Sequence, residues 1–353
     1  MITSKQKIGI ISLFSGCGGL DLGFPPDYYD HISAIDNDSD SIETLKLNSR
    51  FSASEIRLAD IKQTDMNIFR DDIENYGGPT VIIGGAPCQP FSKNGYWISN
   101  KQRMIDSDPR NLLDYFVRAI SIAEPSGFLF ENVESILHPT NRNAYFRFIE
   151  QLQSLDYDIK QFRVNAQEYG CPQRRKRVFV LGTKGKFRSE APPKTHAPAE
   201  LAQDLGLSVY TNVGEVISKY SGEEYFEEYE TTSNGKWSKE LRAIPPGKNY
   251  LFLTEKRDHP EPVFEYGTRF WNFLLKLDPS KSSWTIPANP GPWIGPFHWT
   301  SRRLRVPEIA AIQSFPENYN FCGSRRSVQR QIGNAVPPQL ASSFSHFLYE
   351  SIA

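Results

Sequence analysis

Residues 82–95 read IIGGAPCQPFSKNG, and this stretch decides how the chain folds. The apolar run Val81-Ile82-Ile83 ends in Gly84-Gly85 and delivers a cysteine between proline and glutamine. A buried strand that stops at the two glycines projects Cys88 from a loop at its carboxyl end, where open α/β sheets place their ligands. Pro87 and Pro90 stiffen that loop, and Ser92 and Asn94 offer polar contacts. A buried structural thiol is the commonest fate of a free cysteine; the setting of Cys88 favours a nucleophile.

Working outward, the same rhythm recurs. IGIISL (8–13), HISAID (31–36), GFLFEN (127–132), YDIKQFRV (157–164) and RVFVLG (177–182) read as strands. SDSIETLKLN (39–48), RNLLDYFVRAISIA (110–123) and RNAYFRFIEQLQSL (142–155) carry apolar residues at helical spacing. SGCGGLDLGF (15–24) reads as a glycine turn opening a short helix. Alternating strands and helices give a mostly parallel α/β sheet with helices on both faces. After Gly182 the rhythm fails: residues 185–300 mix prolines, glycines and scattered aromatics without a sustained period, as an irregular second domain would. Pattern resumes at VPEIAAIQSF (306–315) and closes with an amphipathic helix over 336–352 that returns to the first domain.

With 353 residues, two domains are expected: 1–184 with 325–353 as the catalytic and cofactor-binding part, and 185–324 as a second domain with a bridging segment. No run approaches the ~20 apolar residues of a membrane helix. The four cysteines show no CxxC pairing, which argues against a metal site or a disulfide framework. Net charge is −1, yet its distribution is uneven. Gln173 to Arg188 holds many bases and no acid, SRRLR (301–305) and SRR (324–326) form a second basic cluster, and SGEEYFEEYE (221–230) holds five glutamates. Basic clusters suit phosphate contacts, solvated faces being the alternative.

Other local features point to a nucleoside-containing ligand. FSGCGG follows the first strand directly, so backbone amides can approach a ligand there, and Asp36 ends the second strand where a carboxylate can accept ribose hydroxyls. The glycines, Gly16, Gly18 and Gly19, depart from GxGxxG, which disfavours a nicotinamide cofactor. Asp60, after a third candidate strand, either contacts an adenine amino group or caps a turn. Glu131 ends another apolar strand, where it can share a rim with Cys88. Alternation turns Arg175 and Arg177 to one face and Lys176 away. The aromatic-rich EYGTRFWNFLL (265–275) reads as a small hydrophobic core or as a base reader.

In this order, these stretches resemble the DNA cytosine methyltransferases that act on carbon 5. SLFSGCGGLDLGF is similar to that family's cofactor loop, GGAPCQPFS to its nucleophile loop, ENV to its acid motif and NAQEYGCPQRRKR to its Gln-x-Arg-x-Arg element. RRLRVPEIAAIQSFP resembles the bridge after the variable region and RQIGNAVPPQLA the closing motif. The bridge departs from the family where Pro307 stands for an arginine before Glu308 and Arg305 for a threonine or serine; proline cannot supply an ion pair, so the packing there must differ.

The resemblance implies a Rossmann-like, S-adenosylmethionine-dependent methyltransferase that yields S-adenosylhomocysteine and acts on double-stranded DNA. Residues 185–300 would read the target sequence. Implied catalytic residues are Cys88, adding to carbon 6 of a flipped-out cytosine; Glu131, bonding the ring nitrogen and exocyclic amine; Arg177, holding the carbonyl oxygen and orienting Glu131; and Arg175, favouring the thiolate. The implied cofactor contacts are Phe14, Gly16, Cys17, Gly19, Asp36, Asn37, Asp60, Ile61, Pro87, Leu113 and Asn334. The family likeness also implies a monomeric, cytoplasmic bacterial or phage enzyme without metal or membrane association, paired with a restriction endonuclease. Two alternatives are a transfer-RNA cytosine methyltransferase, whose branch carries a Cys-Phe-Thr motif in a variable region that here has no cysteine, and a non-catalytic scaffold, which should have lost Cys88 or Glu131.

Overall fold

The computed structural model describes residues 6–87 and 112–353. Eight strands lie between residues 8 and 183: β1 (Ile8–Leu13), β2 (Tyr29–Asp36), β3 (Glu55–Leu58), β4 (Thr80–Gly84), β5 (Gly127–Val133), β6 (Asp158–Asn165), β7 (Gln173–Arg174) and β8 (Lys176–Thr183). Seven of them form one sheet in the order β3-β2-β1-β4-β5-β8-β6. The first five strands run parallel, and β8 is antiparallel to both β5 and β6. This reversal brings the beginning of β8 to the carboxyl ends of β1 to β5, so one rim collects Leu13, Asp36, Gly84, Val133 and Arg177.

Side-chain alternation sorts the strand residues onto two cores. Ile11, Leu13, Ile82, Phe128, Phe130, Val178 and Val180 pack with Phe116 and Ile120 of the helix Leu113–Ala123 and with Phe148 and Leu152 of the helix Arg142–Gln153. The opposite face carries Ile8, Ile10, Val81, Ile83, Leu129, Phe179 and Leu181. It is covered by Leu340, Phe344, Phe347 and Leu348 of the closing helix Pro338–Ile352, with Phe344 stacked on Phe179 at 4.2 Å. Burying one such aromatic contributes about 1.5–3 kcal/mol, and a run of them along one helix explains why the chain's end returns to its first domain.

A third core joins distant sequence. Cys17, Ala34, Ile42, Leu45 and Phe51 pack with Leu304, Ile309, Ile312, Phe315 and Tyr319 of the bridge and with Val213 and Ile217. A fourth, Leu241, Ile244, Tyr250, Leu253, Phe264, Phe273, Leu274 and Phe297, lies entirely in the irregular region. There the helices are short, Ala199–Leu205, Val213–Ile217 and Ser238–Ala243, as the proline-rich composition predicts.

Three features differ from the sequence reading. The helix expected within 15–24 is a single 3-10 turn, Asp21–Gly23, because left-handed φ at Phe14, Gly16 and Gly18 spends that stretch on turning. Two helices lacked a legible pattern, Asn67–Tyr76 and Arg325–Asn334. The first fully buries only Phe69, and much of the second's buried face is polar, with Gln329 and Gln331 inward.

Three arginines of the expected second basic cluster are paired with acids and so are not free for phosphate. Arg305 donates to Glu230 at 2.7 and 3.1 Å, Arg302 is bidentate to Glu308 at 2.8 and 2.6 Å, and Arg325 donates to Glu227 at 2.8 Å. Glu227 and Glu230 of the acidic stretch turn onto these arginines, while Glu223, Glu224 and Glu228 face water. Pro307 occupies the first turn of the helix Val306–Ile312, a position where its missing N–H costs nothing. Arg302 supplies the partner of Glu308 that Pro307 cannot.

Candidate active site

Parity alone puts Glu131 and Arg177 on the same face of the sheet, with Leu129 and Phe179. They occupy neighbouring positions because Glu131 pairs with Phe179 and Val133 with Arg177. Such diagonal neighbours are within reach of long side chains. Arg177 Nε lies 2.7 Å from Glu131 Oε1, and both residues are buried. Burial raises the Glu131 pKa above the usual carboxylate range, and Arg177 and then Arg175 oppose that shift.

The loop after β4 passes directly over this pair. A Cβ on Gly85 would come within 3.0 Å of Glu131 Oε2, so the glycine lets backbone approach the acid. Asn132 Nδ2 donates to the carbonyl of Ala86 at 3.2 Å, tying the acid strand to the loop two residues before Cys88. Sequence reading quoted ENV without giving this asparagine a role. Cys88 itself lies outside the described residues. Of the other thiols, Cys171 is pushed up to about 12 by burial, and burial raises Cys17 further still, so neither is a thiolate at neutral pH.

Arg175 is fully buried on the same face, as alternation predicts, while Lys176 is exposed. Its Nη2 donates to the carbonyls of Gly333 at 2.8 Å and Ala335 at 2.9 Å. It thereby anchors the closing motif to the rim. Gln173, also without a role in the sequence reading, is wholly buried at a junction. Its Oε1 accepts from Ile286 N at 3.1 Å, its Nε2 donates to Gln313 Oε1, and Gln313 donates to the carbonyl of Ala335. The irregular region and the bridge meet on this side chain, and Gln313 carries the contact on to the closing motif.

A second group sits at the ends of β1 to β3. Asp36 accepts from Gly16 N at 2.8 Å and Asp38 N at 2.9 Å, and burial raises its pKa. The absent Cβ of Gly16 points into open space, whereas one on Gly19 would strike the Val336 carbonyl oxygen at 2.6 Å. One glycine therefore opens a cradle and the other permits backbone packing. Tyr319 Oη donates to the carbonyl of Cys17 at 2.6 Å, fixing the loop from behind. Phe14 is half-buried in left-handed conformation (φ 55°), Ile61 and Leu113 are buried, and Asn37, Pro87 and Asn334 are exposed at the rim. Asp60 Oδ1 accepts from Lys62 N at 3.0 Å, so one oxygen of this carboxylate caps a turn, which is compatible with a ligand contact by the group. A glycine-lined space between an acid and a hydrophobic wall fits a nucleoside with a short charged tail.

The open, mostly parallel sheet with its antiparallel pair, glycine cradle and strand-end acids defines an S-adenosylmethionine-dependent methyltransferase of Rossmann-like fold. The family model for C-5 cytosine-specific DNA methylases matches residues 8–348, and the chain belongs to that family. It is a DNA (cytosine-5-)-methyltransferase. Over 376 residues it is 35% identical to the type II methyltransferase M.SacI of Streptomyces achromogenes, with 99% of this chain and 94% of that protein covered. It is 33% identical to the type II methyltransferase M.NgoFVII of Neisseria gonorrhoeae, covering 96% and 85% of the two chains. Among solved structures, a prophage-encoded DNA modification methyltransferase from E. coli superposes with TM-score 0.72 at 22% identity over 98% of this chain and 99% of that one, a likeness of fold. No helix among the described residues is long and apolar enough to cross a membrane.

Proposed function

We propose that this enzyme methylates carbon 5 of a flipped-out cytosine in a specific double-stranded DNA sequence through a covalent adduct between Cys88 and carbon 6, as the modification enzyme of a restriction-modification system. The buried Glu131–Arg177 pair directly beneath Gly85-Ala86-Pro87, the segment that leads into Cys88, carries this reading.

Carbon 5 of cytosine is a poor nucleophile until a group adds at carbon 6. Cys88 makes that bond as a thiolate. Glu131 donates a hydrogen bond to the ring nitrogen and accepts one from the exocyclic amine, countering the negative charge that builds on the ring. Arg177 holds Glu131 and bonds the ring carbonyl. Arg175 acts at one remove, holding the Gly333 and Ala335 carbonyls and adding positive potential that favours a thiolate.

The cofactor contacts assigned above would hold S-adenosylmethionine: Asp36 at the ribose hydroxyls, Asp60 near the adenine amino group, and Gly16 and Gly19 along the methionine tail. When bound, S-adenosylmethionine supplies an electrophilic methyl group and leaves as S-adenosylhomocysteine. The carbon 5 proton then passes to water or hydroxide, and the electron pair it leaves re-forms the ring double bond as Cys88 departs from carbon 6 as a thiolate.

Flipping the base costs a few kcal/mol, which contacts from residues 185–324 would offset while reading the sequence. The rest of the chain, 1–184 and 325–353, performs the chemistry. In this reading the enzyme acts as a monomer in the bacterial cytoplasm, paired functionally with an endonuclease; its likeness to the type II methyltransferases M.SacI and M.NgoFVII supports the restriction-modification role. Incubation with labelled S-adenosylmethionine and either duplex DNA or transfer RNA tests the reading: label should enter DNA at 5-methylcytosine, and label in transfer RNA alone would overturn it.

A further inference from the structure

Beyond the rim, the chain builds a row of aromatic and cationic side chains. The two-residue strand β7 pairs with Ser283–Trp284, so that Trp284 stands beside Arg174. The Arg174 guanidinium lies over the Trp284 ring at 4.9 Å, and Trp271 meets Trp284 edge-to-face at 4.7 Å. Thr285 Oγ1 donates to the Arg174 carbonyl at 2.8 Å and locks the register. Although Phe273 and Leu274 are buried in the fourth core, Phe270 is 63% and Trp271 50% exposed. EYGTRFWNFLL thus anchors the fourth core at one end and exposes aromatic rings at the other.

The position of this row gives it a use. Arg177 pairs with Val133 at the carboxyl end of β5, so residues that precede Lys176 continue past the sheet on the side from which a target base must enter. Three residues of extended chain separate Arg174 from Arg177, roughly 10 Å. Arg174 and the rings packed on it thus lie within the span of a few nucleotides from a base held against Glu131. An exposed indole backed edge-on by a second indole is stiff and costs little entropy to order. A guanidinium stacked on a ring keeps its in-plane N–H groups available for phosphate oxygens.

We infer that Arg174, Trp284 and Trp271 form a shelf that grips duplex DNA next to the flipped cytosine, Trp271 packing on a base or sugar and Arg174 taking a phosphate. This rests on the function proposed above and adds named DNA-contacting residues to it.

Binding of wild-type, Trp271→Ala, Phe270→Ala and Arg174→Ala proteins to a duplex carrying the target site is measured by fluorescence anisotropy over a range of salt. Trp271→Ala should weaken binding roughly five- to hundredfold, with S-adenosylmethionine affinity and melting temperature unchanged. Arg174→Ala should reduce the slope of log affinity against log salt by about one. Phe270→Ala, at a more exposed neighbour, keeps the test open if Trp271→Ala folds poorly, and should lower affinity in the same direction. Wild-type DNA affinity and salt slope in these variants would overturn the shelf while leaving the methyltransferase reading intact. A wild-type enzyme that transfers no methyl group to DNA would overturn that reading instead.

Discussion

Arg177 and Glu131 belong to strands that run in opposite directions, and only that reversal brings the guanidinium within 2.7 Å of the carboxyl group. Had β8 been parallel to β5, its first residues would lie at the other end of the sheet. The antiparallel insertion is thus what lets a residue at the beginning of one strand serve an acid at the end of its neighbour.

Glu131→Gln keeps the shape of the side chain and removes its titratable proton. Methyl transfer in single-turnover assays should fall about 10²- to 10⁴-fold, with cofactor affinity by calorimetry little changed. Near-normal turnover would remove Glu131 from the chemistry.

The raised pKa of Glu131 sets the sign of a pH dependence. Burial lets the folded protein retain this proton at pH values where the unfolded chain has lost it. Its contribution to stability is therefore present in acid and declines as pH rises from the unfolded pKa through the folded one. The rate should decline over the same window as the donor ionises. Comparing wild type with Glu131→Gln in melting temperature against pH isolates this contribution; an unchanged difference curve across the acidic range contradicts it.

DNA with 5-fluorocytosine at the target should trap the enzyme, because fluorine cannot leave carbon 5 as a cation. The adduct should require S-adenosylmethionine, survive denaturation, map to Cys88 and vanish in Cys88→Ser, whose hydroxyl ionises far less readily than a thiol. Mapping to Cys17, Cys171 or Cys322 would reject the assignment.

Two glycines of one loop should respond differently to alanine. At Gly16 the added Cβ meets open space, so folding should lose only about 1–2 kcal/mol for the left-handed backbone. Affinity for S-adenosylmethionine should drop tenfold or more, about 1.4 kcal/mol. At Gly18 (φ 77°) the Cβ would lie 2.8 Å from both Leu45 and Phe51, so the melting temperature should fall well below that of Gly16→Ala. Equal melting temperatures would show that the loop relaxes around either change.

Glu230→Ala leaves Arg305 buried without its carboxylate and should destabilise the full chain by about 3–5 kcal/mol in urea unfolding. A loss below 1 kcal/mol would mean that the Tyr220 and Gly222 carbonyls, each 2.6 Å from Arg305 Nη1, hold the charge alone.

The sequence by itself determined the strands of the sheet, the rim at which they end and the face each side chain takes, because alternation and glycine punctuation are local. Ile8–Leu13 appears with the boundaries read from IGIISL, and Arg175 and Arg177 point inward as their spacing requires. It also placed Glu131 near the end of its strand and Arg177 near the beginning of its neighbour, at one rim. Tertiary structure decided what depends on partners distant in sequence. Charge runs cannot reveal that Glu227 and Glu230 neutralise Arg325 and Arg305, since ion pairs across 98 and 75 residues leave no local periodicity. The same holds for Asn132 reaching Ala86, for Gln173 joining three segments, and for the indole of Trp271 meeting that of Trp284. Each is a contact between surfaces that exist only after the sheet has formed and the irregular region has folded against it.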